Sequence, residues 1–579
     1  ERQQERQIKR QRQPKVNLER DYEGFVRANK KQWKELRKER RRLREAGIST
    51  GRRGPGGVAN FFQRQSVAAG SANWQILQIV QDSPATYMAW VLVGDSNLQK
   101  LRLNIPRVVY VNCFQEQPGM EHCRVRKVLP RSRRCMHLYR QMLPEERESE
   151  LQMMMSDSAV EGVYEAQTPQ LFKAVMKLGS VCKLAKNAHA DSDGAFTLEQ
   201  IEQTDSSYLR PEQCRLRRVW LYHSRSGRDR AVLGLFDATE RKAWVYVVSR
   251  QAGQIDRVNT RRLVRELGMP EDFEVDLSYA SALKVAQKGM QRELARFQKD
   301  RTHATVLLLQ SPETMAVHLS TIPAIADMPV VCMPADLGDD NYPPLGWETP
   351  TVKRMMKRSL TTDQWWQDQC ELARFARIPI GNVEGDCRTF IADVALGRAL
   401  TSQNFCAWYS TAALPDLGGN EEDCGVTALE DPVKNVEGSY RSICVELDLY
   451  GLAVNTILNS DLVDDIEGAS GGFAGGNDAV DDADDASATI PAFRVLKGMV
   501  DRWYKQAQSG NTQADEMLLN FYRWLRSPTS KLFDPRLFQT VRNMMEKVFL
   551  QLMAEFRSLG ATLVSACFNK VILCTGKDN

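Results

Sequence analysis

Val541-Arg-Asn-Met-Met-Glu-Lys-Val-Phe-Leu-Gln-Leu-Met-Ala-Glu-Phe-Arg-Ser-Leu-Gly560, followed by Ala561-Thr-Leu-Val-Ser-Ala-Cys-Phe-Asn-Lys-Val-Ile-Leu-Cys-Thr575, is the stretch on which the fold turns. Val541, Met544, Met545, Val548, Phe549, Leu552, Met553, Phe556 and Leu559 recur at steps of three and four, which marks one broad apolar face of a helix. Gly560 stands where a helix favours a left-handed stop. Two short apolar runs follow, Leu563 to Ala566 and Val571 to Cys574, on either side of Cys567, Phe568, Asn569 and Lys570. The spacing predicts a strand, a tight turn and a second strand.

Working outward, 579 residues imply several domains, and 42% hydrophobic with 26% charged residues is an ordinary globular composition. No window reaches the apolar length of a membrane span, and the first residues are charged, unlike a secretory signal. Glu1 in place of a start methionine reads as a fragment of a longer chain. The thirteen cysteines contain no Cys-x-x-Cys pair, which argues against a zinc ribbon or a disulfide framework and for free thiols. The net charge of +5 is unevenly spread: residues 1–54 hold nineteen basic against eight acidic side chains. Residues 1–56 therefore read as a basic helical linker, with nucleic-acid binding through phosphate contacts as the alternative. Gly51-Arg-Arg-Gly-Pro-Gly-Gly57 ends it as a breaker. Residues 461–487, rich in Asp, Gly and Ala, read as an acidic disordered loop. A calcium site there is the alternative, but the spacing is not that of an EF-hand.

Between these segments, Trp74 to Val80, Met88 to Val93 and Leu101 to Val111 read as strands, with another over Val125 to Pro130 and a helix from Pro169 to Leu178. Arg218 to His223, Ala231 to Asp237 and Lys242 to Val248 predict three adjacent strands with short turns. Thr305 to Gln310 and Pro329 to Met333 read as buried parallel strands. Arg441 to Asp448 predicts a strand ending in an aspartate, and Leu449 begins a helix. Phe521-Tyr-Arg-Trp-Leu-Arg526 is a basic aromatic patch that fits either base stacking or a core-facing helix end.

The terminal helix, glycine and hairpin resemble the palm of a family B DNA polymerase. That family's turn carries tyrosine, glycine, aspartate, threonine, aspartate and serine. Here Ser565 and Ala566 take the first two places, and Cys567 and Asn569 those of the two aspartates. Holding two Mg²⁺ ions about 3.5–4 Å apart requires carboxylates, and a thiol and an amide do not supply hard anionic oxygen. In the family's first palm motif, Asp448 and Asn455 match, while Ala453 takes the place of a tyrosine that packs on the sugar and Val454 that of a proline. Lys497 and Tyr504 have the spacing of the fingers motif, with Asp501 and Lys505 in place of its asparagine and glycine. Glu371 to Asn382 resembles the linker helix before the palm. The strands from Arg218 resemble the RNase H-like sheet of the proofreading exonuclease. There Asp237 is followed two places on by Thr239, not glutamate, and Glu240, one place late, is expected on the opposite face. Ile105 to Asn112 and Val128 to Ser132 resemble a second, inactivated exonuclease-polymerase module of a replicative member of the family.

The resemblance implies an α/β and α+β multidomain architecture: an N-terminal α+β domain over 57–215, an inactive exonuclease-like domain over 216–375, and an inactive palm with reduced fingers over 376–579. The family's thumb and a cysteine-rich tail are expected outside this sequence. It implies no catalysis, cofactor or metal in this chain, only vestigial positions at Asp448, Ala453, Cys567, Asn569 and Asp237. Zinc and an iron–sulfur cluster belong, by resemblance, to other parts of the longer protein. It further implies a scaffold in nuclear DNA replication and repair, partnered by the second polymerase subunit, small accessory subunits and the replicative helicase. The alternatives are a working, divergent polymerase and a DNA-binding module using the basic arm.

Overall fold

The computed structural model describes residues 73–94, 97–143, 148–185, 194–210, 216–250, 258–299, 303–336, 338–411, 414–419, 430–460 and 479–577, with Lys30 and Lys34. The chain divides into Glu1–Ser71 and Ala72–Asn579. In the first unit, Lys30 and Lys34 are helical and exposed. The rest of the basic linker and its glycine breaker lie outside the described residues.

The second unit opens with strands β1 (Trp74–Ser83), β2 (Thr86–Val93), β3 (Asn97–Asn104) and β4 (Arg107–Cys113). The expected single strand over Leu101 to Val111 is two strands. Pro106, which has no N–H to give a ladder, falls at the break, and β3 and β4 enter different sheets. The next elements are β5 (His137–Leu143), α1 (Glu148–Met155), β6 (Val160–Tyr164), α2 (Gln170–Leu178), β7 (Val181–Leu184), β8 (Ala195–Thr197) and β9 (Ile201–Gln203). One sheet runs β8-β3-β2-β1-β7-β9 and the other β5-β4-β6. The strand expected over Val125 to Pro130 does not form. That segment makes isolated bridges at Arg124 and Val128 and then a 3-10 turn at Pro130–Ser132, which the proline favours.

A second six-stranded sheet follows, from β10 (Leu216–Ser226), β11 (Arg230–Asp237), β12 (Lys242–Ser249), α3 (Thr260–Glu266), β13 (Glu274–Ala280), α4 (Leu283–Lys299), β14 (Ala304–Gln310), α5 (Met315–Thr321) and β15 (Val330–Met333). Its order is β13-β12-β11-β10-β14-β15. β10, β11 and β12 are antiparallel neighbours, whereas β14 and β15 run parallel to β10. Both faces are covered, which explains the nearly unbroken apolar runs. Val219, Leu221 and Leu233 meet Met290 and Leu294 of α4. Trp220, Val232 and Phe236 meet helices α6 (Glu348–Ser359) and α7 (Thr362–Ala376) on the other side.

Inside this sheet, His223 packs edge-on against His318 of α5, ring centroids 5.7 Å apart. The Nδ1 of His223 is 3.1 Å from Ser311 Oγ, and the Nε2 atoms of both rings are buried with no hydrogen-bond partner among the described residues. Burial, then His318 and Arg225, pull His223 down to about 4. The unfolded chain takes up this proton first, near pH 6.5, so the contribution is complete above that pH and lost as pH falls toward 4. Acidification over that window is expected to remove about 3 kcal/mol through this ring. Urea titrations at pH 7 and 4.5 check it, with His223→Gln flattening the difference.

The last region contains α8 (Cys387–Ser402), β16 (Ser410–Thr411), β17 (Leu414–Pro415), β18 (Lys434–Asn435), β19 (Cys444–Asp448), α9 (Leu452–Leu458), α10 (Ala479–Gln508), α11 (Thr512–Leu519), α12 (Phe521–Arg526), α13 (Pro535–Ser558), β20 (Thr562–Ala566) and β21 (Lys570–Cys574). α13 starts earlier than its apolar stripe. Asp534 accepts from Arg536 N as N-cap and Pro535 follows at N1. Gly560, at φ +84°, provides the stop. The helix is already formed at Ala479, so the disordered loop expected to extend to 487 is corrected from there onward. Residues 461–478 lie outside the described residues. α8, α10 and α13 bury Phe390, Leu400, Leu496, Trp503, Val541 and Phe549 in one core.

Three polar joints tie these regions together. Asn382 accepts from Ile79 N at 2.7 Å and donates to Ile79 O at 2.8 Å, so its side-chain amide pairs with β1 like a strand neighbour. Arg398 of α8 donates to Val175 O and Met176 O at the end of α2, and to Ala376 O and Arg377 O at the end of α7. Asp393, one turn earlier, accepts from Trp524 Nε1, Ser530 Oγ and Lys531 N.

Candidate functional site

The palm-like sheet runs β18-β20-β21-β19. β20 and β21 form the expected hairpin. Cys567 N donates to Lys570 O at 2.8 Å and Lys570 N to Cys567 O at 3.2 Å, which closes a turn around Phe568 and Asn569. The turn is anchored from below. Phe568 is 2% exposed and meets Phe549 of α13 edge-on at 5.4 Å. The terminal helix and its hairpin are thus one packing unit, with Phe568, Leu563 and Ala566 in the same core as Phe549. Cys567 is half-buried, while Asn569 is exposed and its carbonyl accepts from Leu449 N at 2.7 Å. That bond docks the turn onto the end of β19, beside Asp448.

Asp448 pairs directly with Lys570 across the sheet. The alternation of a strand puts Glu446 on the same face as Asp448, and Lys570 Nζ reaches Glu446 Oε1 at 2.5 Å. The hydrogen bond to Glu446, its charge and then that of Asp448 hold the Lys570 ammonium above the usual lysine range. Tyr450 Oη donates to Asp448 Oδ2 at 3.3 Å. Glu446 is a second carboxylate beside Asp448, outside the three places of the resembled palm motif. Two carboxylates share the face, and Lys570 pairs with one of them, Glu446. The signal was legible in the i, i+2 spacing of Glu446 and Asp448, but the cross-strand register that delivers Lys570 required the fold.

Ala453 and Val454 are buried in the core on α9, and Asn455 donates from its side chain to Gly451 O. The place of the sugar-packing tyrosine therefore faces the protein interior. Lys497 of α10 donates to Ser460 Oγ at 2.9 Å, and Lys505 pairs with Asp501 on the same helix. Phe521 and Trp524 of the basic aromatic patch are buried, Arg526 and Tyr522 both engage Asp431, and the patch is a core-facing helix end.

In the other sheet, Asp237 is fully buried at the end of β11. Its Oδ1 accepts from Thr239 N at 2.8 Å, and its Oδ2 accepts from Arg217 Nε at 2.8 Å. The same guanidinium reaches Glu240 Oε1 at 2.5 Å. The expectation that Glu240 turns to the opposite face is corrected. β11 ends at Asp237, so strand alternation no longer applies and the turn brings Glu240 back to Arg217. Here one guanidinium engages two acids, whereas Lys570 in the other sheet engages Glu446 alone. Among the described residues no three His, Cys, Asp or Glu side chains converge as metal ligands.

DNA polymerase epsilon catalytic subunits are among the proteins similar to this chain. The one from Emericella nidulans is 31% identical over 602 residues, covering 97% of this chain and 27% of the relative. One from Arabidopsis thaliana is 33% identical, covering 96% and 27%. The one from Saccharomyces cerevisiae is 25% identical, covering 97% and 27%. The chain spans about a quarter of the length of these relatives. Among solved structures, a family B DNA polymerase from the hyperthermophilic archaeon Pyrobaculum calidifontis aligns with a TM-score of 0.48 at 9% identity, covering 87% of this chain and 75% of the other, a likeness too slight to carry an argument. The family described as a domain of unknown function (DUF1744) matches residues 246–579. The match takes in more than half of the sequence: the chain belongs to the DUF1744 family, and along nearly its whole length it is homologous to part of the catalytic subunit of DNA polymerase epsilon.

Proposed function

We propose that this chain is a non-catalytic scaffold module of DNA polymerase epsilon, a degenerate family B exonuclease-polymerase fold working in nuclear DNA replication. It would tether the active part of the polymerase to the replicative helicase and to the second (B) subunit. The observation that carries this reading is the palm hairpin. Cys567 and Asn569 stand at the two aspartate places of the resembled motif, and Lys570 pairs with Glu446 beside Asp448. An ammonium paired with Glu446 beside Asp448 offsets part of the negative charge that two Mg²⁺ ions would need.

Primer extension by this chain with Mg²⁺ or Mn²⁺ is expected to give no template-dependent product. Cys567→Asp with Asn569→Asp is expected to leave it inactive, because Lys570 still engages Glu446 and the added carboxylates repel Asp448. Extension that Asp448→Ala abolishes overturns the reading. The tethering half is tested by retention of purified helicase subunits and of the second polymerase subunit on the immobilised chain; loss of both to the flow-through overturns it.

A further inference from the structure

The edge of the palm-like sheet carries a feature independent of polymerase chemistry. β19 is the edge strand, and its first residue, Cys444, lies directly opposite Cys574, the last residue of β21. Thr575 N donates to Ile443 O at 3.0 Å, a bond that flanks the two cysteines without joining them. Cys444 and Cys574 therefore form a non-hydrogen-bonded pair, the position in an antiparallel ladder where opposed side chains come closest. The Cα separation of such pairs, about 4.5 Å, lies inside the disulfide range of about 4.4–6.8 Å. Desolvation, then the hydrogen bond to Cys574 and its charge, raise the Cys444 thiol above its usual range. Cys444 is exposed and Cys574 buried.

We propose that Cys444 and Cys574 are a reversible dithiol–disulfide pair, a modification site closed by hydrogen peroxide and reopened by a reducing thiol. The Cys444 thiolate attacks one peroxide oxygen, the O–O bond breaks, and hydroxide leaves as water after taking up the thiol proton. The resulting sulfenic acid is attacked by the Cys574 sulfur. The S–S bond forms, the S–O bond breaks, and the hydroxyl leaves as water with the second thiol proton. Two thiols have then given up two electrons and two protons, and one peroxide has become two waters. The bond fastens the strand bearing Glu446 and Asp448 to its neighbour and closes a long loop of chain, which restricts the unfolded ensemble.

The test treats the full chain with hydrogen peroxide, alkylates the remaining thiols and maps the peptides by mass. A Cys444–Cys574 peptide pair lacking two hydrogens, lost on adding dithiothreitol, is expected, and the oxidised chain should melt at a higher temperature than the reduced one. In Cys574→Ser, the Cys444 sulfenic acid should persist and be captured by dimedone. The proposal is overturned if Cys444 and Cys574 are alkylated separately after a treatment that oxidises the exposed Cys135 and Cys332. It is equally overturned if Cys444 links to any other cysteine.

Discussion

Asp393→Ala is expected to lower stability by about 4 kcal/mol, read as an earlier first transition in urea or thermal unfolding. The carboxylate is 1% exposed on α8. It accepts from Trp524 Nε1 at 2.9 Å, Ser530 Oγ at 2.6 Å and Lys531 N at 2.8 Å. Those donors come from α12 and from the loop entering α13, so one side chain ties three parts of the core. Alanine leaves an indole N–H and a backbone N–H buried without acceptors, each costing about 1–3 kcal/mol, and adds a small cavity. Asp393→Asn is expected to cost about half as much. Its oxygen keeps one side of the network, while its amide group meets Lys531 N donor to donor. Burial raises the Asp393 acid above the usual range, against the pull of its Ser530, Trp524 and backbone donors. The folded chain thus binds this proton more tightly than the unfolded one, and stability from this group rises as pH falls through the folded value. Asp393→Asn removes that rise. A carboxylate used for chemistry would instead be expected to face a cleft.

The second large loss is expected at Arg398. Replacement by methionine, which keeps the length of the stem and removes the guanidinium, should cost about 3–4 kcal/mol. Arg398 donates to four carbonyls at 2.6–2.9 Å, two at the end of α2 and two at the end of α7. Helix C-termini carry partial negative charge and unpaired carbonyls, so one guanidinium serves both. Burial and the neighbouring Arg377 pull Arg398 down to about 10, which leaves it charged at neutral pH. Lysine cannot reproduce the fork and is expected to recover less than half of the loss. Limited proteolysis should show where the effect falls, because the clamp joins the N-terminal sheets, the helix α7 and the palm-like core. New cleavage near Leu178 and Ala376 in Arg398→Met, without wholesale degradation, is the expected pattern. A variant that unfolds in urea like the parent would mean that water replaces the guanidinium without cost.

The elements that could be read from the chain alone were those whose pattern is local. The period of Val541 to Leu559, the stop at Gly560 and the apolar runs around Cys567 to Lys570 define α13, β20 and β21 without any partner. So do the β-branched runs of β10, β11, β12, β14 and β15. Residue identity was enough to place Cys567 and Asn569 at a turn poor in carboxylate.

What the sequence could not decide were the meetings. Lys570 reaches Glu446 beside Asp448 only because the register sets Lys570 opposite Asp448. Glu240 shares Arg217 with Asp237 only because β11 ends where it does. Cys444 meets Cys574 from far along the chain, and Arg398 gathers two helix ends from well upstream. Periodicity fixes which face a side chain occupies, since it depends on the geometry of one segment. Pairing between segments depends on closing long loops and burying shared apolar surface, and that free energy belongs to the folded chain as a whole.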